Sequence, residues 1–457
     1  MPGRLICIAA LAVAGAVPVQ AMPSDNWYVR EDFKPVRRIA IQITNDLNQP
    51  VRATPVVITP TQIPELAGMH ELTVTLVDPA GAPRPVPTKE QLAVMGPHGI
   101  RQETNGRALD LQMDDLDKDG VWDELFFQAD LKPRETRTYY LYLGFHQRGW
   151  NPHGAAAAIG SYSRHMVPFW ESGNVGWKLW FPDSADVYGK RKNILVAPQI
   201  LTQNWDGYAV AYVDPAYGSD IMSVDDSFGG GGIGLFETPG SDKVSRPRFS
   251  PNADAKERWN TNQLKDTRYA FEVIVNGPLR SMVRIKTMNW NTGKGRYALE
   301  QVYTAYAGHN YATAKVHFSQ WDGGKGVQFA AGIRKKAGET LGLRQGGVVV
   351  TTAPEAIRNP DDTDSTQNAL TVAYAGIGLV VKDSYRARHV SVAQQQGNEL
   401  FRFPVRADGR YEYMLAAGWS EGEVLKTAAE FRDYVVGVSR EYNSPARLAG
   451  FKVETRE

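Results

Sequence analysis

The chain contains a single cysteine, Cys7, and it lies inside an apolar N-terminal run from Leu5 to Val17. If that run is removed, no cysteine is left. Disulfide staples, thiolate nucleophiles and cysteine-bound zinc are then excluded. A chain of 457 residues can bury a large core without such staples. Cys7 also stands too early in the run to be a lipid-anchored first residue. No second long apolar run occurs, and the N-terminal one is shorter than the roughly 20 residues a membrane-spanning helix needs. Arg4 before it and Val19-Gln20-Ala21 after it complete the three parts of an export signal. The expectation is a signal peptide at residues 1–21, a periplasmic or secreted protein, and no membrane span. An excess of charge of either sign is missing too: 51 Lys and Arg face 50 Asp and Glu, and Arg4 leaves with the signal. Without a basic block, nucleic acid is not an expected partner. The Gly-x-Ser-x-Gly elbow, His-Glu-x-x-His and any His pair at metal spacing are absent as well.

Aromatic residues are abundant, with 11 Trp and 20 Tyr. They serve either as rings that stack on sugars or as core filler of a β protein. Period-two alternation recurs, with Ile39, Ile41 and Ile43, then Leu72, Val74 and Leu76, then Tyr139, Leu141, Leu143 and Phe145 each on one face. Further strands are expected at 177–181, 269–275, 280–286, 297–306 and 311–318. Between Gly149 and Ala158 the periodicity lapses, which sets a boundary near residue 150. Ser420 and Glu423 read as a capping box for one late helix carrying Val424, Ala428, Phe431 and Val435. The chain is therefore expected to be mainly β. A smaller β domain at 22–150 precedes a large β-sandwich at 151–457 that ends with a helix.

The sharpest motif is Asp115-Leu-Asp117-Lys-Asp119-Gly-Val121-Trp-Asp123. Its carboxylates, with the Val121 carbonyl, have the spacing that wraps oxygen ligands around calcium, and Gly120 supplies the tight turn. Phe126 stands where an EF-hand has its last glutamate, so the site reads as a short, structural calcium loop. The alternative is an acidic turn closed by Asx hydrogen bonds. The glycine run Gly229–Gly234 has no P-loop lysine, and a sheet bulge or close backbone approach to a ligand suits it better than a nucleotide. Arg280, Met282, Arg284 and Lys286 fall on one strand face, with Thr313, Lys315 and His317 on the next strand. Such a face suits a substrate carboxylate or is an ordinary solvated one. From His165 to Lys192 the chain gathers rings, acids and bases: Trp170, Glu171, Trp177, Trp180, Asp186, Tyr188, Lys190. That density suits sugar stacking and proton transfer.

Five segments together resemble a bacterial domain-of-unknown-function family of exported proteins from polysaccharide-utilisation systems. They are Asp114–Leu125, Asp186–Lys190, Ser219 through Gly234, Asn276–Arg280 and Ala417–Ser420. The resemblance implies an N-terminal β-barrel or sandwich domain followed by a supersandwich like that of galactose mutarotase and several polysaccharide lyases. It also implies β-elimination, by a lyase or dehydratase, on acidic oligosaccharides containing uronic acid. The family carries a histidine-containing segment just before the Ser219-Asp220 position. Here Asp214-Pro-Ala-Tyr217 stands there, so Tyr217 replaces the histidine or the activity differs. Elimination needs a carboxylate neutraliser, a base and an acid. Arg280 and Arg284 are the expected neutralisers, with His165, Lys190 or Tyr217 as base and Tyr188 as acid. Trp170, Trp177 and His317 would hold the sugar. A glycoside hydrolase using Glu171 and Asp220, or a non-catalytic glycan-binding protein, are the alternatives.

Overall fold

The computed structural model describes residues 26–30, 33–82, 88–95, 103–145, 151–162, 165–180, 183–197, 217–222, 224, 227–248, 266–357, 370–393 and 397–456. The expected signal, residues 1–21, lies outside the described residues, as do Asp214, Pro215 and Ala216.

The first part of the chain forms β1 (Arg37–Thr44), β2 (Val51–Ile58), β3 (Val74–Asp78), the short helix α1 (Lys89–Met95), β4 (Arg107–Ala108), β5 (Gln112–Asp114), β6 (Glu124–Leu131) and β7 (Thr136–Leu143). There follow β8 (Ala155–Tyr162), β9 (His165–Ser172), β10 (Val175–Trp180), β11 (Ser184–Lys190), β12 (Gly218–Asp220) and β13 (Gly232–Phe236). Long strands come next: β14 (Arg268–Asn276), β15 (Arg280–Asn291), β16 (Arg296–Tyr306), β17 (Tyr311–Trp321), β18 (Gln328–Arg334), β19 (Leu341–Gln345), β20 (Val348–Ile357) and β21 (Leu370–Val381). The end of the chain is β22 (Arg388–Val392), β23 (Asn398–Arg402), β24 (Arg410–Trp419), α2 (Ala428–Asn443) and β25 (Arg447–Thr455).

These strands build five antiparallel sheets, and no sheet among the described residues closes into a barrel. Two belong to the early strands, in the orders β25-β1-β7-β3-β4 and β2-β6-β5. Ile39, Ile41 and Ile43 point between them onto Leu125, Phe127, Tyr139 and Leu141, as the alternation expects. Strand β25, from the far end of the chain, pairs with β1 and completes this sheet. Leu72 departs from expectation: it sits in a turn of 3-10 helix before β3 and is exposed. Phe145 likewise lies beyond β7 and is exposed. The alternation fails at both because each stands outside the strand that the pattern extended over it.

The larger part is a sandwich. Its eight-stranded sheet, β14-β15-β16-β17-β24-β21-β20-β19, faces the sheets β12-β11-β10-β9-β8 and β13-β18-β23-β22 across one continuous core. Helix α2 covers the far side of the eight-stranded sheet through Phe431, Val435 and Val438. Gly376 on β21 makes this close approach possible, because a Cβ there would lie 2.6 Å from the Phe431 ring. The helix begins about two turns later than the sequence suggests, with Thr427 and Glu430 as its capping box. Glu423 instead accepts the Asn193 N–H, and Ser420 accepts the Ala373 N–H. The stretch before residue 158, read as irregular, supplies β8, in which Ala155, Ala156 and Ala157 are buried.

Candidate functional site

The hairpin β10–β11 and the short strand β12 carry the most concentrated buried charge on the large sandwich. Alternation sends Trp177, Leu179, Ala185 and Val187 into the core. The intervening residues therefore share the opposite face. Antiparallel register sets Lys178 across from Asp186 and Tyr188 across from Asp220, while Gly176 stands across from both Glu171 and Tyr188. Lys178 Nζ lies 2.8 Å from an Asp186 carboxylate oxygen and 3.4 Å from one of Asp220. It also sits 4.7 Å from the centre of the Trp180 ring. The Met222 N–H donates to Asp220 at 3.0 Å, and the two carboxyl groups converge on the one ammonium.

Three ionisable groups are thus held together with little access to water. Burial pushes the Asp186 carboxyl up to about 7, with Lys178 opposing and Asp220 reinforcing the rise. Burial raises Asp220 as well, against the pull of Lys178. For Lys178, burial acts downward, but the two carboxylates outweigh it and hold the ammonium above its ordinary value. The cluster is therefore a cation between two carboxyls that retain a proton near neutral pH. A carboxyl whose pKa lies near neutral is suited to take up and release a proton at physiological pH. Lys336, fully paired with Glu355 at 2.6 Å, adds a second buried cation whose field reaches Asp220.

Other expected site residues prove to have structural work. Trp170 and Trp177 are fully buried in the sandwich core, Trp170 stacked on Tyr303 at 4.3 Å, so neither offers a ring to a sugar. Lys190 is not a base: its ammonium donates to Glu171, to the Ser172 carbonyl and to the Ile194 carbonyl. Glu171 also accepts the N–H groups of Val196 and Ala197, which removes it from any catalytic pair. The neutraliser role fails for both arginines. Arg280 is buried between Asp114 at 2.6 Å and Glu124 at 2.7 Å, over the Phe126 ring. Arg284 binds Glu272 at 2.8 Å and the Leu116 carbonyl at 2.9 Å. His317 stands on β17 across from Glu300 and Arg410, in the other layer of the sandwich from Lys178. His165 opens β9 across from Tyr162, and its side chain lies outside the described residues. Tyr217 is exposed just before β12, and its carbonyl accepts the Arg191 N–H.

Tyr188 and Asp220 do share one face, and the residues that join them there are Lys178 and Asp186. Asp186 stood within the dense segment but held no assigned role. Lys178 was missed. Its signal is the alternation around it, since a lysine between Trp177 and Leu179 must sit opposite the core.

The Asp115–Asp123 segment is the loop of the β5–β6 hairpin. Carboxylate oxygens of Asp115, Asp117 and Asp123 lie within 4.8 Å of one another. The loop is closed by Asx-type bonds: Asp115 accepts the N–H groups of Lys118 at 2.7 Å and Gly120 at 2.9 Å, and Asp119 accepts that of Val121 at 2.8 Å. Those backbone bonds, led by the one from Gly120, lower the Asp115 pKa. Gly120 has a φ of 90°, the left-handed region that favours glycine. Asp114 and Glu124, paired at the loop's stem, are the two partners of Arg280. The loop is thereby fastened to β15.

Fold and site together define a large antiparallel β protein with a buried, proton-holding Lys-Asp-Asp cluster on one sheet face. The chain belongs to the family described as Domain of unknown function (DUF4861), whose model matches residues 99–448. No curated protein matches it. Among solved structures it is similar to an alpha-mannosidase from Enterococcus faecalis V583, at 11% identity and a TM-score of 0.42 over 92% of this chain and 46% of that one. A glycosyl hydrolase family 38 protein from Enterococcus faecalis gives 10% identity and a TM-score of 0.43 over 92% and 47%. The chain spans less than half the length of either, and likeness at this level carries no argument about activity.

Proposed function

We propose that the chain is an exported enzyme that performs β-elimination on oligosaccharides containing uronic acid, at the Lys178–Asp186–Asp220 cluster. The observation that carries this reading is the pair of buried carboxyls held by one lysine, with Asp186 raised to about 7. In the assigned roles, Asp220 takes the C5 proton, and the C5–H electron pair becomes the C4=C5 double bond. The C4–O bond breaks, and Tyr188, next to Asp220 in the sheet register, protonates the leaving oxygen. Lys178 offsets the negative charge that develops at the uronate. A glycoside hydrolase fits less well. Its two carboxyls flank the scissile bond at about 5 Å or more, whereas this pair is turned onto one lysine ammonium, at 2.8 and 3.4 Å.

The test is incubation of the protein with a panel of uronate oligosaccharides, read as ultraviolet absorbance of a 4,5-unsaturated product. Absorbance is expected to rise with wild type and to be lost in Asp220→Asn and Lys178→Met. New reducing ends without absorbance would transfer the assignment to hydrolysis. Unchanged substrate across the panel would sink the enzyme reading. Calcium is proposed for the β5–β6 loop on its carboxylate spacing, with a structural role at the fastening to β15.

A further inference from the structure

A cleft of about 640 Å³ opens between the early sheets and the β14 edge of the eight-stranded sheet. That volume lies within the range of sites for small organic ligands. It shares no residue with the Lys178 cluster. Its walls combine two exposed apolar side chains, Leu72 and Phe145, with the polar side chains of Asn151, Asn276, Asp115 and Lys118. Phe145 is 62% exposed and Leu72 57%, and no structural role explains leaving either in water. Asn276 uses its carbonyl oxygen for the Ala157 N–H and the Ser281 hydroxyl, which leaves its NH₂ without a partner among the described residues. Asn151 makes no hydrogen bond to the described residues. Lys118 donates one hydrogen bond to the Ile274 carbonyl.

We propose that this cleft is a second carbohydrate-binding site, and that it takes neutral rather than uronate sugar units. An exposed ring meets the apolar face of a pyranose, while amide donors and carboxylate acceptors pair with its hydroxyls. Charge selects the neutral sugar. Glu71, Asp114 and Asp115 line the cleft against the single cation Lys118 among its described lining residues, so a sugar carboxylate meets a net negative wall. A divalent ion in the adjoining loop, among four aspartates, leaves the rim acidic. The site holds its ligand whether or not the Lys178 cluster is catalytic.

The experiment is isothermal titration calorimetry of the full chain with neutral hexose tetrasaccharides of several linkages and with a galacturonate tetramer as the acidic comparator. Saturable binding of at least one neutral tetrasaccharide is expected. Affinity should fall about tenfold or more in Phe145→Ala. It should also fall in Asn276→Asp, which keeps the acceptor oxygen but removes the donor. Asp220→Asn should bind as wild type does, which separates this cleft from the proposed catalytic face. The proposal is overturned by absence of binding across the neutral panel, by Phe145→Ala binding unchanged, or by the acidic tetramer binding equally through the same residues.

Discussion

Replacing Asp186 by asparagine tests the electrostatics of the cluster without any substrate. In the folded chain burial holds this carboxyl at about 7, against about 3.9 in an unfolded chain. Between those values the folded state keeps a proton that the unfolded state has lost. Stability from this group is therefore fully present below pH about 4 and is lost as pH rises through about 7. At about 1.36 kcal/mol per unit, the loss between pH 5 and pH 8 comes to about 2–3 kcal/mol. Asparagine has nearly the same shape and does not ionise, so it removes that dependence, while Lys178 keeps Asp220 as its partner. Asp220 is raised by the same burial and leaves a residual slope of the same sign. Urea unfolding followed by tryptophan fluorescence at pH 5 and pH 8 measures both proteins. Wild type should lose about 2–3 kcal/mol more than the variant across that interval. Parallel losses in the two would refute a proton held at Asp186.

Two further outcomes follow from the seam between β15 and the β5–β6 hairpin. Arg280→Met leaves Asp114 and Glu124 as buried carboxylates without a cation, at a cost of about 3–5 kcal/mol in urea unfolding. Arg280→Lys should not restore it, because one ammonium cannot reproduce the guanidinium fork; normal stability in Arg280→Met would return the arginine to a substrate role. Calcium at a hundredfold excess over its Kd should stabilise the chain by about 2.7 kcal/mol, seen as a fall in Tm on adding EDTA. Asp117→Ala should abolish that fall, and a Tm indifferent to EDTA in wild type would remove the ion.

The architecture was legible wherever one strand face is buried and the other is not. Ile39, Ile41 and Ile43, or Val283 and Ile285 alternating with Met282, Arg284 and Lys286, announce their sheets directly. What alternation does not carry is the destination of a polar face. Arg280 and Arg284 look like free cations aimed at a ligand, yet the partners of Arg280 lie 166 and 156 residues away, on the two strands of the Asp-loop hairpin. The same blindness applied to aromatics: Trp170 and Trp177 carry no mark in the sequence that separates core from sugar platform, and the stacking on Tyr303 comes from the facing sheet.

The density of reactive residue types between His165 and Lys192 did locate the charged face, but for a reason that composition alone does not state. A hairpin pairs residues close in sequence, so β10 and β11 bring Lys178 to Asp186 by register alone. Only Asp220 needs a third strand. Within that face, burial sorts the roles. Lys190 and Glu171 satisfy each other and the backbone completely, so their charges are fixed in place. Lys178 holds two carboxyls, which leaves more negative charge than it can offset in a buried setting, and the surplus is relieved by a proton. An excess of one carboxyl over cations, rather than the mere presence of acids and bases, is what separates the Lys178 cluster from the structural clamp beside it.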